Sequence, residues 1–242
     1  MSYTASRNSS APRTDNKEMK RHLTLIMIVA GALVGTLTGL LLFRSDLLRP
    51  APPAPVLKDL SKASPGAQPP HTRGVDQAPV VLEEFADFQC PPCGALHPEL
   101  KKIEAEYGAR LRVVFRHYPL AMHAHAQEAA LASEAAAAQN RFWEMHDMLF
   151  ERQREWSGAA ADARTLFTSY ARTLGLDVDR FTRDMDAPET QARVLSDRQR
   201  GESVNIAGTP TLFVNGLEIS EEAMSAEGIR ATINAALDGK KP

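Results

Sequence analysis

The chain contains two cysteines, Cys90 and Cys93, separated by two prolines in the run Phe85-Ala86-Asp87-Phe88-Gln89-Cys90-Pro91-Pro92-Cys93-Gly94. Two cysteines are too few for a disulfide-stapled scaffold, and a structural zinc site would draw a further Cys or Cys/His pair from elsewhere. A C-x-x-C that follows the apolar, strand-like run Val80-Val81-Leu82-Glu83-Glu84-Phe85 and precedes a helical pattern is the setting of a redox dithiol. With Cys90 at the N-terminus of that helix, its sulfur faces unpaired N–H groups and the positive end of the helix dipole, which favour thiolate over thiol. Cys93, one turn further in, is shielded but near enough to attack a mixed disulfide on Cys90. Cys90 is therefore expected to be the nucleophile and Cys93 the resolving thiol.

The intervening prolines tune the pair. Pro91 suits the first helical position, but Pro92 removes a further N–H donor, and no His or Lys lies between the cysteines. Cys90 is accordingly expected toward the upper part of the range of about 3.5 to 7.5 found for C-x-x-C thiols.

The elements that must hold this pair follow. Leu96, Leu100, Ile103 and Tyr107 recur at helical spacing and stop at Gly108, with Pro98 expected to kink the helix against the carbonyl of Gly94. Leu111 to Arg116 reads as a second strand, so strand, helix and strand form a parallel crossover. From about His125 to Ile206 the pattern is helical: Ala126 to Ala138, Arg141 to Arg152, Ala161 to Leu174, a short piece after Asp177 and a helix begun at Pro188. Thr211-Leu212-Phe213-Val214 and Leu217-Glu218-Ile219 flank Asn215-Gly216, a strong hairpin signal, and Glu221 to Leu237 suits a terminal helix.

Ahead of this lies an apolar run, Leu23 to Phe43, which as a helix of about 21 residues spans a bilayer core of about 30 Å. Arg7, Arg13, Lys17, Lys20 and Arg21 precede it, and Arg44 and Arg49 follow, so the N-terminus is expected to stay in the cytoplasm. A cleaved signal peptide is the competing reading, but the run is long and ends in Leu41-Leu42-Phe43-Arg44, not in an A-x-A-like site. No cysteine near its end allows a lipid anchor. Gly31, Gly35 and Gly39 line one face and admit a homodimer contact, although glycine is also simply common in membrane helices. Between Arg44 and Arg73, Pro50, Pro52, Pro53, Pro55, Pro65, Pro69 and Pro70 accumulate, and residues 44–73 are expected to be an extended linker. The net charge of −2 argues against a nucleic-acid surface.

Four blocks in order now resemble a known family, the DsbA-like thiol:disulfide oxidoreductases of the thioredoxin superfamily. They are Glu84-Phe85-Ala86-Asp87-Phe88-Gln89-Cys90-Pro91-Pro92-Cys93, Phe115-Arg116-His117-Tyr118-Pro119-Leu120, Phe142-Trp143-Glu144-Met145-His146-Asp147 and Gly208-Thr209-Pro210-Thr211 with its Asn215-Gly216 turn. The resemblance covers about 74–242 and implies an α/β thioredoxin-like fold with a helical insertion at about 121–206, preceded by one transmembrane helix. It implies that Thr209-Pro210 is the cis-proline loop that pairs with an incoming peptide, and that Glu84 is the buried acid beneath the site, where it moves a proton for Cys93. The alternative for Glu84 is a strand carboxylate facing solvent. Asp87 is expected to shape the strand end, and His97 to be solvated. His117, His123, His125 and His146 are expected as packing or helix-surface residues, and Phe142, Trp143 and Met145 as core of the insertion.

Protein thiols or disulfides are the expected substrates, a membrane or periplasmic redox protein the partner, and the bacterial inner membrane facing the periplasm the location, with no cofactor and no metal required. Pro92 leaves the direction open among oxidation, reduction and isomerisation. The runner-up is a copper-delivery protein in which Cys90, Cys93 and His97 hold a soft metal.

Overall fold

A computed structural model describes residues 16–47, 57–158 and 162–240. Arg7, Arg13 and the prolines at 50–55 lie outside the described residues. Two compact units divide between residues 54 and 55.

The first unit is helix α1, Asn16–Leu47. Within it Met19–Leu40, 22 residues of mean hydropathy 2.1, is long and apolar enough to cross a membrane. This span overlaps the expected 23–43. Nothing lies within 4 Å of the positions that a Cβ on Gly31, Gly35 or Gly39 would take.

The second unit is a thioredoxin-like sheet with helices. Its strands are β1 (His71–Arg73), β2 (Val80–Ala86), β3 (Leu111–His117), β4 (Thr211–Val214) and β5 (Leu217–Glu218), in the order β1-β3-β2-β4-β5. β2 runs parallel to β3, as a strand–helix–strand crossover requires, and antiparallel to β4. The strands of the crossover read as continuous apolar runs because both faces of β2 and β3 are covered. On one face Leu82, Val113, Leu212 and Val214 pack against Leu100, Ile103, Ile229 and Ile233 of α2 (Pro91–Tyr107) and α9 (Ala226–Leu237). On the other, Phe85 and Phe213 enclose Leu60 and Ile206. The hairpin takes its turn from Asn215 and Gly216, both in the left-handed region at φ 48° and 84°, where asparagine and glycine are the favoured residues.

Among the described residues the insertion has six helices: α3 (Ala126–Ala137), α4 (Phe142–Glu151), α5 (Gln153–Trp156), α6 (Ala163–Thr173), α7 (Val178–Met185) and α8 (Pro188–Ser203). Ala129, Ala132, Ala135 and Ala136 of α3 are fully buried, so helices meet across small side chains, with Trp156, Phe167 and Phe181 filling the space beyond.

Two expectations need correction. The linker over 44–73 ends earlier, because its last part is folded. Leu60 is buried, β1 pairs with β3, and the intervening backbone is held by charged side chains: Asp197 accepts from Ala67 N at 2.8 Å, while Arg116 and Arg200 donate to Ala67 O and Ser64 O at 2.9 and 2.6 Å. These bonds satisfy a proline-rich backbone that offers little else to a core. The terminal helix starts at Ala226, not Glu221, since Ser225 caps it by accepting from Gly228 N and a 3-10 turn precedes it. Pro98 lies inside α2, and the helix continues through it from Pro91 to Tyr107.

Candidate active site

β2 ends at Ala86 and the chain turns through Asp87 and Phe88 into α2, with Cys90 as the N-cap residue and Pro91 and Pro92 at the first helical positions. Asp87 builds this turn. Its carboxylate accepts from Gln89 N at 2.7 Å, Leu120 N at 2.9 Å and His123 Nδ1 at 2.6 Å. The expectation that Asp87 shapes the strand end agrees with this geometry. Cys90 keeps 4% of its surface and Cys93 none.

The two thiols titrate in opposite directions. A hydrogen bond from Cys93 and its backbone N–H, with Thr209 adding to them, lowers the Cys90 pKa to about 6 against the opposing effect of burial. Burial pushes Cys93 well above its ordinary value, and the neighbouring Cys90 and Glu84 charges push it further. The two shifts favour a thiolate on Cys90 and a protonated thiol on Cys93.

Glu84 lies on β2 opposite Phe115 of β3 and Leu212 of β4, and is buried. Removal from water, with a smaller effect of the Glu104 charge, raises its pKa to about 8. The solvent-facing alternative is excluded by this burial. A carboxyl with a pKa near neutrality, electrostatically coupled to Cys93, is able to hold or release a proton for that thiol.

Thr209-Pro210 is cis, and Cys90 Sγ lies 3.3 Å from Thr209 O, to which it donates in its thiol form. The loop thus faces Cys90 across 119 positions of sequence. Beside it opens a groove of about 580 Å³ lined by Pro92, Leu96, Thr209, Pro210, Ile219 and Met224. Pro92 and the proline loop, singled out separately in the sequence, meet on its wall.

His97 departs from expectation. It occupies the buried face of α2 with Cys93, Leu100, Ile103 and Tyr107, stacks on Phe150 at 5.0 Å and meets His146 at 5.4 Å. The spacing of four from Cys93 and three to Leu100 carried that signal. Two groups of three donor residues come together among the described residues, His97 with His146 and Asp147, and His71 with His117 and Glu134. Neither includes a cysteine, so the soft-metal set of Cys90, Cys93 and His97 does not form. Both groups are already charge-paired: Asp147 with Arg73 and Lys101 at 3.0 and 3.1 Å, Glu134 with Arg193 at 2.7 Å. Of the other histidines, His117 and His146 are buried, and burial holds His146 down at about 4.

Two residues in the site carried no signal in the sequence. Gln89 donates to Ser157 O at 2.8 Å and accepts from His125 N at 2.6 Å, tying the cysteine turn to the insertion. Gln153 reaches the same turn from the insertion side, with Nε2 2.8 Å from both Phe88 O and Cys90 O. Glutamine is ordinary in a turn or on a helix surface, and the contacts cross from 36 to 68 positions of sequence.

Comparison with known proteins agrees with this architecture. The thioredoxin family model matches residues 67–235. BdbD of Bacillus subtilis in its oxidised form is 26% identical, with a TM-score of 0.62 over 74% of this chain and all of that one. α-DsbA1 of Wolbachia pipientis, 19% identical, shares the fold, with a TM-score of 0.60 over 80% of this chain and 96% of that one. Among curated proteins, the Na(+)/H(+) antiporter NhaA 3 of Salinispora tropica is 39% identical over 180 residues, 71% of this chain and 26% of that protein. The chain thus spans about a quarter of the length of that relative. With its family model, its crossover sheet and its helical insertion in agreement, the chain belongs to the thioredoxin superfamily as a DsbA-like member.

Proposed function

We propose that this chain is a membrane-anchored thiol:disulfide oxidoreductase that exchanges disulfides with proteins outside the cytoplasm. The observation that carries the reading is the opposition between the two thiols, with Cys90 lowered to about 6 and Cys93 raised. The thiolate attacks one sulfur of a substrate disulfide, a Cys90–substrate disulfide forms, and the departing substrate thiolate takes a proton. Cys93 then gives up its proton, with Glu84 positioned to move it, and attacks the Cys90 sulfur. The second substrate thiolate leaves, and two electrons have passed from the dithiol to the substrate. Read backwards, a substrate thiolate attacks the Cys90 sulfur of the Cys90–Cys93 disulfide, Cys93 departs and is protonated, and a second substrate thiol completes the oxidation. A lowered Cys90 pKa stabilises the reduced dithiol, which favours the oxidising direction over that of an unperturbed thiol.

Thr209 and Pro210 are assigned to the substrate backbone, and Pro92 and Leu96 to its side chains, because they wall the groove beside Cys90. The apolar span Met19–Leu40 is assigned as the anchor in a bacterial inner membrane, with the basic N-terminal side in the cytoplasm and the dithiol in the periplasm. The antiporter name belongs to the longer relatives, and no antiport is assigned to this chain.

The test is covalent trapping. Cys93→Ala is expected to accumulate mixed disulfides with substrate proteins on Cys90, and Cys90→Ala far fewer. Equal trapping by the two variants would reject the division of roles.

A further inference from the structure

Gln153 opens the short helix α5, which Trp156 pins in place: its indole is fully buried and donates to Leu149 O at 3.0 Å. From that fixed point the amide Nε2 donates to Phe88 O and Cys90 O, both at 2.8 Å, which uses the full donor capacity of the group. Gly94 leaves the space for it. A Cβ on that residue would stand 2.5 Å from Gln153 Oε1 and 2.9 Å from its Cδ and Nε2.

One of the two bonded carbonyls belongs to the residue whose sulfur ionises and the other to the residue two places before it. Because Pro91 and Pro92 carry no N–H, the Cys90 thiolate depends on few donors, chiefly Cys93, and on the angle at which the turn presents Sγ to them. An amide that grips the carbonyls on either side of Gln89 fixes that angle. Its positive end also offsets carbonyl dipoles that would otherwise oppose a negative charge on sulfur.

We infer that Gln153 is a positioning residue for the dithiol, setting the ionisation of Cys90 from within the helical insertion through an amide that Gly94 admits. The inference rests on the reading of Cys90 as nucleophile.

The experiment follows thiolate absorbance against pH, and the equilibrium with glutathione, on the full chain in detergent. Gln153→Met keeps the length of the side chain and removes both N–H donors. Gly94→Ala displaces only the tip of a flexible side chain, at a helical position where alanine is the better helix former. Each variant is expected to raise the Cys90 midpoint by about one pH unit, a roughly tenfold loss of thiolate in acid, and to make the disulfide less oxidising. The double variant is expected to shift no further than either single one, since both remove the same contact.

Unmoved midpoints in both single variants would overturn the inference. So would a shift in only one of them, or additive shifts in the double variant, because the amide and the glycine would then not act as one device. These failures are distinct from failure of the nucleophile reading, in which the unaltered chain itself would titrate at an ordinary thiol pH of about 8.5.

Discussion

Glu83 and Glu84 are adjacent on the central strand, both buried, and chemically identical, yet they live in opposite electrostatic conditions. Strand alternation sends them to opposite faces of the sheet. Glu83 meets Arg116 Nε at 2.7 Å and Arg200 Nε and NH2 at 2.7 and 3.1 Å. No hydrogen bond or ion pair among the described residues reaches Glu84, and its pKa climbs to about 8. A buried carboxylate persists where cations match it, and where none does the proton stays on. One face of β2 therefore holds structure together with charge, while the other keeps a proton next to the dithiol.

The contrast breaks most visibly at Glu83. Glu83→Gln leaves the buried Arg116 to pair with Asp197 alone and removes the acid from the half-buried Arg200, and is expected to cost about 3 kcal/mol in denaturant unfolding while leaving the Cys90 titration in place. A loss below about 1 kcal/mol would mean the cluster is solvated and its charges cheap.

Glu84→Gln is expected to act with the opposite sign. Below about pH 4 the carboxyl is protonated folded and unfolded, so the substitution changes nothing. As pH rises the unfolded chain ionises and gains, whereas the native carboxyl waits until about pH 8, so wild-type stability falls across that window. The variant should therefore be more stable by about 3 kcal/mol at pH 7, and its resolving step slower by about tenfold or more. A flat stability difference from pH 4 to 8 would place Glu84 in water.

The smallest effect sharpens the comparison. Alkylation of Cys90 is expected to reach half its maximal rate near pH 6 in wild type and to move little in Glu84→Gln, because the acid serves the inner thiol. A midpoint near 9, or one that follows the carboxyl, would tie Glu84 to the wrong sulfur.

What the sequence disclosed and what it hid divide along the range of the interactions. Cys90 and Cys93, the prolines between them, the Asn215-Gly216 turn and the alanine-rich opening of the insertion announce themselves within a few residues, since caps, turns and periodicity are local. The docking of residues 57–73 does not. Asp197 and Arg200 sit on a polar helix that reads as a solvated face, and only the folded chain reveals that they grip Ser64 and Ala67. His97 lies between these cases. Its position on the apolar face of α2 was written in its spacing from Cys93 and Leu100, but its polarity argued for water. Gln153 could not have been found at all, because nothing distinguishes it from any helix-surface glutamine until the cysteine turn is in place.

The position of β4 has a consequence for the birth of the molecule. β2 takes β3 as a neighbour soon after it is made, but its other edge stays open until Leu212 and Val214 arrive, and Thr209 is translated 119 positions after Cys90. Closing so long a loop comes late in folding, and the emerging polypeptide carries its cysteines first without the loop that faces them. During that interval Cys90 has Cys93 beside it in the same helix but lacks Thr209, the other group that lowers its pKa. A nascent chain that stops short of the fourth strand carries the dithiol without the loop that completes its surroundings.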